Sequence, residues 1–416
     1  MNILAVNSGS ASLKLDLIKV ESPGAPPCRL ARGRVEHFGP EAATDFQLGD
    51  GERFRSTKTV PDLQAGVNWF LDNLSDAFGL TPPSNRAAVH RVVHGGARFT
   101  APTRLDESVL AALDELTELA PLHNPPALSA IRAAQSALGA DVPMVAVFDT
   151  AFHSALPPRA ANYPLPHELV ESHGLRRFGF HGIAHEFMLR RYVHLAGVPI
   201  QEAVLITLQL GGGCSAAAIR DGHSVDTSMG FTPLEGLMMG TRAGDLDPGL
   251  LLYLARKEAL GVADLEDLLN QHSGLLGVSG RSADMREVLA AAPHDARAAL
   301  AVDMFCYRAR KYIGAYLAAL GGAQAVVFGG GIGENDPLIR QRICEGLDWF
   351  GLALDPVRNA AATGVEGRIS RDEARVQAWV VSVDEAALMV EAAAGCLSRL
   401  GSVGSSQSAG TVFQNP

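Results

Sequence analysis

Several side chains able to handle anions sit where apolar chain gives way to small residues. Arg91 lies in VHRVVHGG, against apolar residues and before a Gly pair; Arg242 lies in GFTPLEGLMMGTRAGDLDPG, between Gly-Thr and Ala-Gly-Asp. A guanidinium is costly to keep beside apolar chain unless it is paired, and its planar fork suits carboxylate or phosphate oxygens. Taken singly, each arginine reads equally well as half of a structural salt bridge. Asp149 closes the apolar run MVAVFD, a strand-to-loop junction where α/β proteins place functional groups or where a carboxylate simply caps the next turn. His181 stands in RRFGFHGIAHEF, four residues before His185. The metalloprotease form of an H-x-x-x-H pair needs Glu directly after the first His, and Gly182 occupies that place, so zinc is not expected. His181 is then either an ordinary core or surface histidine or a catalytic one. Asp384 and Glu385 follow the apolar run AWVVSV; such carboxylates can hold Mg2+ opposite nucleotide phosphates or form a solvated acidic turn. Asp284 and Arg286, in GLLGVSGRSADMRE, can orient a nucleotide or cap a helix.

Three glycine-rich or small-residue loops accompany these groups. Asn7-Ser8-Gly9-Ser10-Ala11-Ser12-Leu13-Lys14 combines backbone N–H groups that can approach an anion with hydroxyl donors and a lysine. It lacks the second glycine of G-x-x-x-x-G-K-[ST] and continues as an alternating strand, so it is no Walker loop, and a plain hairpin turn is the alternative. The runs Gly211 to Gly213 and Gly329 to Gly333 are individually turns or bulges. Together, three such loops after three apolar strands suggest a nucleotide held from opposite sides of a cleft. Phosphoryl transfer needs fixed positive charge around the moving group, which Arg91 and Arg242 can supply.

The positioning elements are read from periodicity. Ile3 to Val6 is apolar, and beyond the small-residue turn Leu13, Leu15 and Leu17 alternate with Lys14 and Asp16, a hairpin. A similar hairpin pattern returns at Ala203 to Ile219, about half a chain later, and AVVF runs into GGGIGEN at Ala325 to Asn335, which suggests internal duplication. Helical spacing at Glu107 to Leu119, Leu250 to Leu260 and Ala291 to Leu320 completes an α/β pattern. A chain of 416 residues favours two or three domains, and 47% hydrophobic with 19% charged residues is a globular balance. The net charge of −10 provides no global positive field for nucleic acid or an anionic membrane. Five widely spaced cysteines fit neither a disulfide framework nor a thiol metal site. With no secretory start and no long apolar span, the expectation is a soluble cytoplasmic protein. The Ser/Gly-rich segment 401–416 is expected to be a flexible tail.

The strings NSGSASLKLDL, HRVVHGG, APLHNPPAL, VFDTAFH, RFGFHGIAHE, DTSMGFTPLEGLMMGTRAGDLDP, SGLLGVSGRSADMR and GGGIGEND, in that order, resemble the acetokinase family, and the resemblance runs from Asn2 to about Leu400. The resemblance implies an α/β fold of two duplicated actin-like (ribonuclease H-like) domains flanking a nucleotide cleft. Residues 1–150 with a return at 386–400 would form the carboxylate and metal side, and 151–385 the nucleotide side. It also implies a homodimer. The implied reaction is reversible transfer of the γ-phosphoryl group of ATP to acetate, with Mg2+ or alternatively Mn2+, giving acetyl phosphate and ADP. By position, Asn7 and Glu385 match the metal site, and Ser10, Ser12 and Lys14 the first phosphate loop. Arg91 matches the substrate-carboxylate arginine, while Val93, Leu122 and Pro233 match an apolar acyl pocket. Asp149 matches the active-site acid; His181 and Arg242 match the pair that stabilises the transferring phosphoryl group. Gln209, Leu210, Gly211, Gly212 and Gly213 match the second phosphate loop, and Asp284, Met285, Arg286, Gly331, Ile332, Gly333, Glu334 and Asn335 match nucleotide contacts. A carboxylate nucleophile is already ionised at neutral pH, so Asp149 is expected to orient Arg91, Arg242 or the metal rather than abstract a proton.

The second loop departs from the family's His-Leu-Gly-Asn-Gly-Ser, reading Gln209-Leu210-Gly211-Gly212-Gly213-Cys214. Gln209 cannot carry the charge a histidine can. Smaller departures are Ala11 for Ser, Ile183-Ala184 for Thr-Ser and Val383 for a polar residue. A kinase for propionate or another short-chain acid, and a noncatalytic nucleotide-binding homologue, are the competing expectations.

Overall fold

Alternation in SLKLDLIK gives the second strand one apolar face, and a turn of small residues lets it fold back on the first. The computed structural model describes residues 1–9, 11–21, 27–78 and 86–406, and in it Asn2–Ser8 pairs antiparallel with Ser12–Lys19 and parallel with Arg86–Val92. Leu13 and Leu15 are fully buried, but the alternation fails at Asp16, which is buried as well. The register with strand Cys28–Glu36 shifts between Leu17 and Ile18, and Arg29 and Arg32 both donate to the Asp16 carboxylate, at 2.6 and 3.0 Å. A buried charge is tolerated there because it is paired.

The chain divides into two compact units, Met1–Ala151 with the chain from Asp384 onward, and Phe152–Val383. In the first unit eight strands run in the order Arg53–Val60, Gly39–Leu48, Cys28–Glu36, Ser12–Lys19, Asn2–Ser8, Arg86–Val92, Met144–Phe148 and Thr103–Arg104. Helices Leu63–Phe78, Glu107–Glu115 and Asn124–Leu138 contribute to a core that includes Leu13, Val35, Val67, Phe70, Leu113 and Ile131. Helix Glu385–Ser406 packs on strands Asn2–Ser8, Arg86–Val92 and Met144–Phe148. Glu385 therefore falls in the first unit and not at the end of a 151–385 domain. Arg29 fixes this boundary by donating from Nη2 to both oxygens of Asp384 at 2.7 and 2.8 Å.

The second unit repeats the arrangement. Val204–Leu210 pairs antiparallel with Cys214–Arg220 and parallel with Ala325–Gly329, within a six-stranded sheet ordered His223–Thr227, Cys214–Arg220, Val204–Leu210, Ala325–Gly329, Gln377–Val380, Gly367–Arg368. Ala325–Gly329 is buried throughout, as a strand with parallel neighbours on both sides should be. The α/β duplication expected from the two hairpins is thus present as a hairpin with a parallel neighbour in each unit. The third glycine run does not form a hairpin: it passes from strand into helix Gly330–Asn335. Gly330 has φ +77, and a Cβ there would lie 2.6 Å from the Leu210 carbonyl oxygen, so only glycine fits.

Three helical expectations shift. Leu116–Leu119 tightens to a 3-10 turn, and the stretch Leu250 to Leu260 is helical as Pro248–Lys257. The stretch Ala291 to Leu320 splits into the last residue of Met285–Ala291 and the whole of Ala296–Leu320, because Pro293 intervenes and Asp295 caps the new N-terminus. The last helix continues into the expected tail as far as Ser406, since an established helix tolerates Gly401 and Gly404 at about 1 kcal/mol each; residues 407–416 lie outside the described residues. All five cysteines are free. Among the described residues no helix is long and apolar enough to cross a membrane.

Candidate active site

In the first unit the functional side chains lie at the carboxyl ends of three neighbouring parallel strands, the place where α/β sheets present ligand-binding groups. Val6 is in register with His90 and Arg91 with Val147, so the pleat puts Asn7, Arg91 and Asp149 on one face. Asp149 extends the ladder by donating its N–H to the Val92 carbonyl at 3.1 Å. Its carboxylate is buried and accepts from Arg91 through Nε at 3.1 Å and, at the second oxygen, through Nη2. Arg91 Nη1 donates to Asn7 Oδ1 at 3.1 Å, and Asn7 Nδ2 donates to Glu385 Oε2 at 3.2 Å. Burial works against the Arg91 charge, but Asp149 and Glu385 more than offset it and raise its pKa. A carboxylate clamped in this way orients a guanidinium.

Lys14 is exposed by area, yet desolvation around its ammonium group lowers its pKa; Glu385 opposes that shift and Arg34 and Arg91 add to it. Ser12 closes the turn by accepting the Gly9 N–H at its carbonyl, 2.8 Å, while Ser10 lies outside the described residues. Of the expected acyl-pocket residues, Val93 is buried and Leu122 is 44% exposed. The segments carrying them are tied by buried Asn124, which exchanges two 3.1 Å hydrogen bonds with the backbone of His94. The donors here, the Glu385 carboxylate and the Asn7 amide oxygen, are hard oxygens suited to Mg2+, which keeps several waters and binds through one or two carboxylates plus substrate phosphate. The described residues contain no cluster of three or more His, Cys, Asp or Glu side chains that would form an all-protein metal cage.

In the second unit His181 and Arg242 converge on Gly213. A Cβ at Gly213 would sit 3.0 Å from Arg242 Nη2 and 3.4 Å from His181 Nε2, so glycine leaves open the space that both groups edge. His181 precedes helix Gly182–Ala196 with a left-handed backbone, φ +57, uncommon for a residue with a side chain. Arg242 donates from Nη1 to the Pro233 carbonyl at 2.6 Å; Pro233 thus contributes its backbone to holding Arg242. The Pro233 loop is fixed in turn by Arg177, which donates to the carbonyls of Thr227, Ser228 and Met229 and pairs with Glu235, while Tyr163 donates to Glu235 at 2.6 Å. Burial works against the Arg177 charge, but Glu235, by Coulombic attraction and hydrogen bonding, together with Tyr163 and Tyr316 more than offsets it and raises the Arg177 pKa.

The departing loop is accommodated. Leu210 is buried, and a Cβ at Gly212 would meet open space. Gly212 accepts the Gly240 N–H at 2.9 Å, linking this loop to the Arg242 segment. Burial pushes the Cys214 thiol up to about 12, and its Sγ donates to the Gly211 carbonyl at 3.3 Å, a bond that a serine could equally make. Gln209 lies opposite Ser215 across the hairpin, and its buried Oε1 has no hydrogen-bond partner among the described residues.

The expected nucleotide residues divide. A Cβ at Gly240 would lie 3.1 Å from the Ala283 carbonyl oxygen, so the segment before Asp284 adjoins the Arg242 loop. Asp284 caps helix Met285–Ala291 and accepts from the exposed Arg286 guanidinium, whereas Met285 is buried. Gly331 faces open space and Gly333 is buried. Ile332 accepts the Asp336 N–H and Asn335 Nδ2 donates to the Gly331 carbonyl, 3.0 Å each. Glu334 turns inward, accepting from Gly330 and Val383 N–H groups at 3.0 and 3.1 Å; burial raises its pKa. Sequence reasoning missed Asn124, Arg177, Tyr163 and Glu235 as positioning groups; the one available signal was Arg177's place at the head of the RFGFH run that carries His181.

The family model described as the acetokinase family matches residues 2–391. Among curated proteins, the chain is similar to an acetate kinase of Solibacter usitatus, 46% identical over 95% of this chain and 98% of that one. It is also similar to an acetate kinase of Chloroherpeton thalassium, 43% identical over 96% and 100%. Among solved structures it is similar to Porphyromonas gingivalis acetate kinase, with TM-score 0.85 and 38% identity over 94% and 98% of the two chains. A propionate kinase from Francisella tularensis gives TM-score 0.86 and 33% identity over the same shares.

Proposed function

Because the chain belongs to the acetokinase family, we propose that it transfers the γ-phosphoryl group of ATP to acetate, forming acetyl phosphate and ADP, by direct in-line attack of the acetate oxygen. The protein is a carboxylate kinase of the acetate kinase type, and its family implies ATP or ADP and a divalent metal as reaction partners. Arg91, aligned by Asp149 and Asn7, binds the acetate carboxylate and directs one oxygen for attack. Val93 and Leu122 supply apolar surface for the methyl group. His181 and Arg242 donate to the phosphoryl oxygens as charge spreads over them, the stage at which fixed donors help most. The second phosphate loop, the 284–286 segment and the 331–335 turn bind the nucleotide. Glu385 and Asn7 would hold Mg2+, which would neutralise phosphate charge. No general base is assigned, because acetate arrives ionised.

The observation that carries this reading is the convergence of His181 and Arg242 on the side-chain-free position Gly213. A homodimer in the cytoplasm, with the first unit on the carboxylate side and the second on the nucleotide side, completes the proposal on family resemblance. Hydroxamate trapping of acyl phosphate tests it, with Mg-ATP and separately pyrophosphate as donors against acetate, propionate and butyrate. Acetate with ATP is expected to give the highest kcat/KM; no product from any pair overturns the reading. The likeness to a propionate kinase supports a second reading, which a higher kcat/KM for propionate would select.

A further inference from the structure

Behind His181 runs an unbroken line of hydrogen bonds. Thr207 Oγ1 lies 2.7 Å from His185 Nδ1, His185 Nε2 lies 2.8 Å from Ser215 Oγ, and the same hydroxyl lies 2.9 Å from His181 Nδ1. Thr207, His185 and Ser215 are fully buried. A neutral imidazole carries one N–H and a hydroxyl one O–H, so the line either runs in one direction throughout or has both histidines donate to Ser215, which would strand the buried Ser215 hydroxyl proton without an acceptor among the described residues. If it ran from His181 toward Thr207, the Thr207 hydroxyl proton would be a buried donor without an acceptor among the described residues. If it runs from Thr207 toward His181, only an oxygen lone pair is left over, the cheaper defect. Burial keeps His185 neutral by holding its pKa well below the usual histidine value.

We propose that Ser215 and His185, anchored by Thr207, are positioning residues that fix His181 as its Nε2–H tautomer. With Nδ1 occupied as an acceptor of the Ser215 proton, the imidazole presents an N–H donor at the space beside Gly213 and Arg242 Nη2. This rests on the reading that the transferring phosphoryl group occupies that space. The line also accounts for His185, which adjoins His181 one helical turn on and which the reaction itself does not use.

The test is two-bond 1H–15N correlation spectroscopy of the full-length protein labelled at histidine, with the His181 signals identified by their loss in His181→Asn. The expected pattern is a pyridine-type Nδ1 and a pyrrole-type Nε2. In Ser215→Ala the His181 signals are expected to move toward a tautomer average, and kcat to fall about tenfold, the worth of one hydrogen bond, with the KM for ATP and acetate unchanged. A pyrrole-type Nδ1 in the wild-type protein overturns the proposal, as does an unaltered His181 pattern in Ser215→Ala. The tautomer is read without turnover, so failure of acyl phosphate synthesis would count against the functional reading and not against this one.

Discussion

The two anion-handling clusters are built on opposite principles. In the first unit, Arg91 is locked into an ionic chain of Asp149, Arg91, Asn7 and Glu385, and its geometry depends on charges that must all be present. In the second, His181 and Arg242 border a space defined by what Gly213 lacks, and His181 is backed by hydroxyls and a neutral imidazole. The first cluster should break when a charge is removed, the second when a methyl group is added. On the proposed reading, a singly charged carboxylate acceptor is bound and aimed by a rigid fork, whereas a phosphoryl group changing shape during transfer needs room as well as donors.

Removing the charge gives the largest expected effect. Asp149→Asn leaves the Arg91 guanidinium without its counter-ion; breaking a buried pair of this kind costs about 3 kcal/mol or more, so the denaturation midpoint should drop and acetate turnover with it. A variant as stable and active as the parent would show that Asp149 does not hold Arg91. Adding a methyl group in Gly213→Ala is expected to lower kcat by about tenfold to a hundredfold through displacement of Arg242 and His181, with little change in folding stability. Wild-type turnover in that variant would remove Gly213 from the account.

Acid should weaken the folded state through histidines in both units. Burial pushes His90 down to about 3 and His153 down to about 4. The unfolded chain then binds more protons than the native one below about pH 6.5, so stability is full above that pH and falls as pH drops toward 3–4. For each histidine the loss at pH 5 is about 2 kcal/mol. Urea midpoints at pH 7 and pH 5 read this directly, and equal midpoints would contradict the burial of both rings. The smallest effect is expected for Cys214→Ser, which keeps the bond to Gly211 and should leave kcat/KM within about twofold. A native Cys214 that reacts rapidly with a thiol reagent at pH 8 would be at odds with a thiol titrating near 12.

The hairpins and their glycine loops were legible because a small-residue turn between alternating strands is a local signal. So were Arg91, Asp149, His181 and Arg242, each flagged by polar chemistry set against apolar chain. The positioning groups were not, because their partners are remote in sequence: Arg29 meets Asp384 across 355 residues and Asn124 meets His94 across 30. Asp16 defeated the alternation rule for the same reason, since only the folded sheet brings Arg29 and Arg32 to it. Pro293 was visible and should have divided the helical stretch that it interrupts. Ser215 looked like one more small residue after a glycine run; its place opposite Gln209 and beneath two histidines exists only once the hairpin forms.

The most direct test of the contrast between a carboxylate fork and a transfer site is a steady-state comparison of Arg91→Leu and Arg242→Leu in acyl phosphate synthesis. Arg91→Leu is expected to raise the acetate KM by about tenfold or more, whereas Arg242→Leu should lower kcat by about 10²–10³ with both KM values nearly unchanged. A KM effect confined to Arg242→Leu, or identical kinetics in the two variants, would contradict the division of labour between the two clusters.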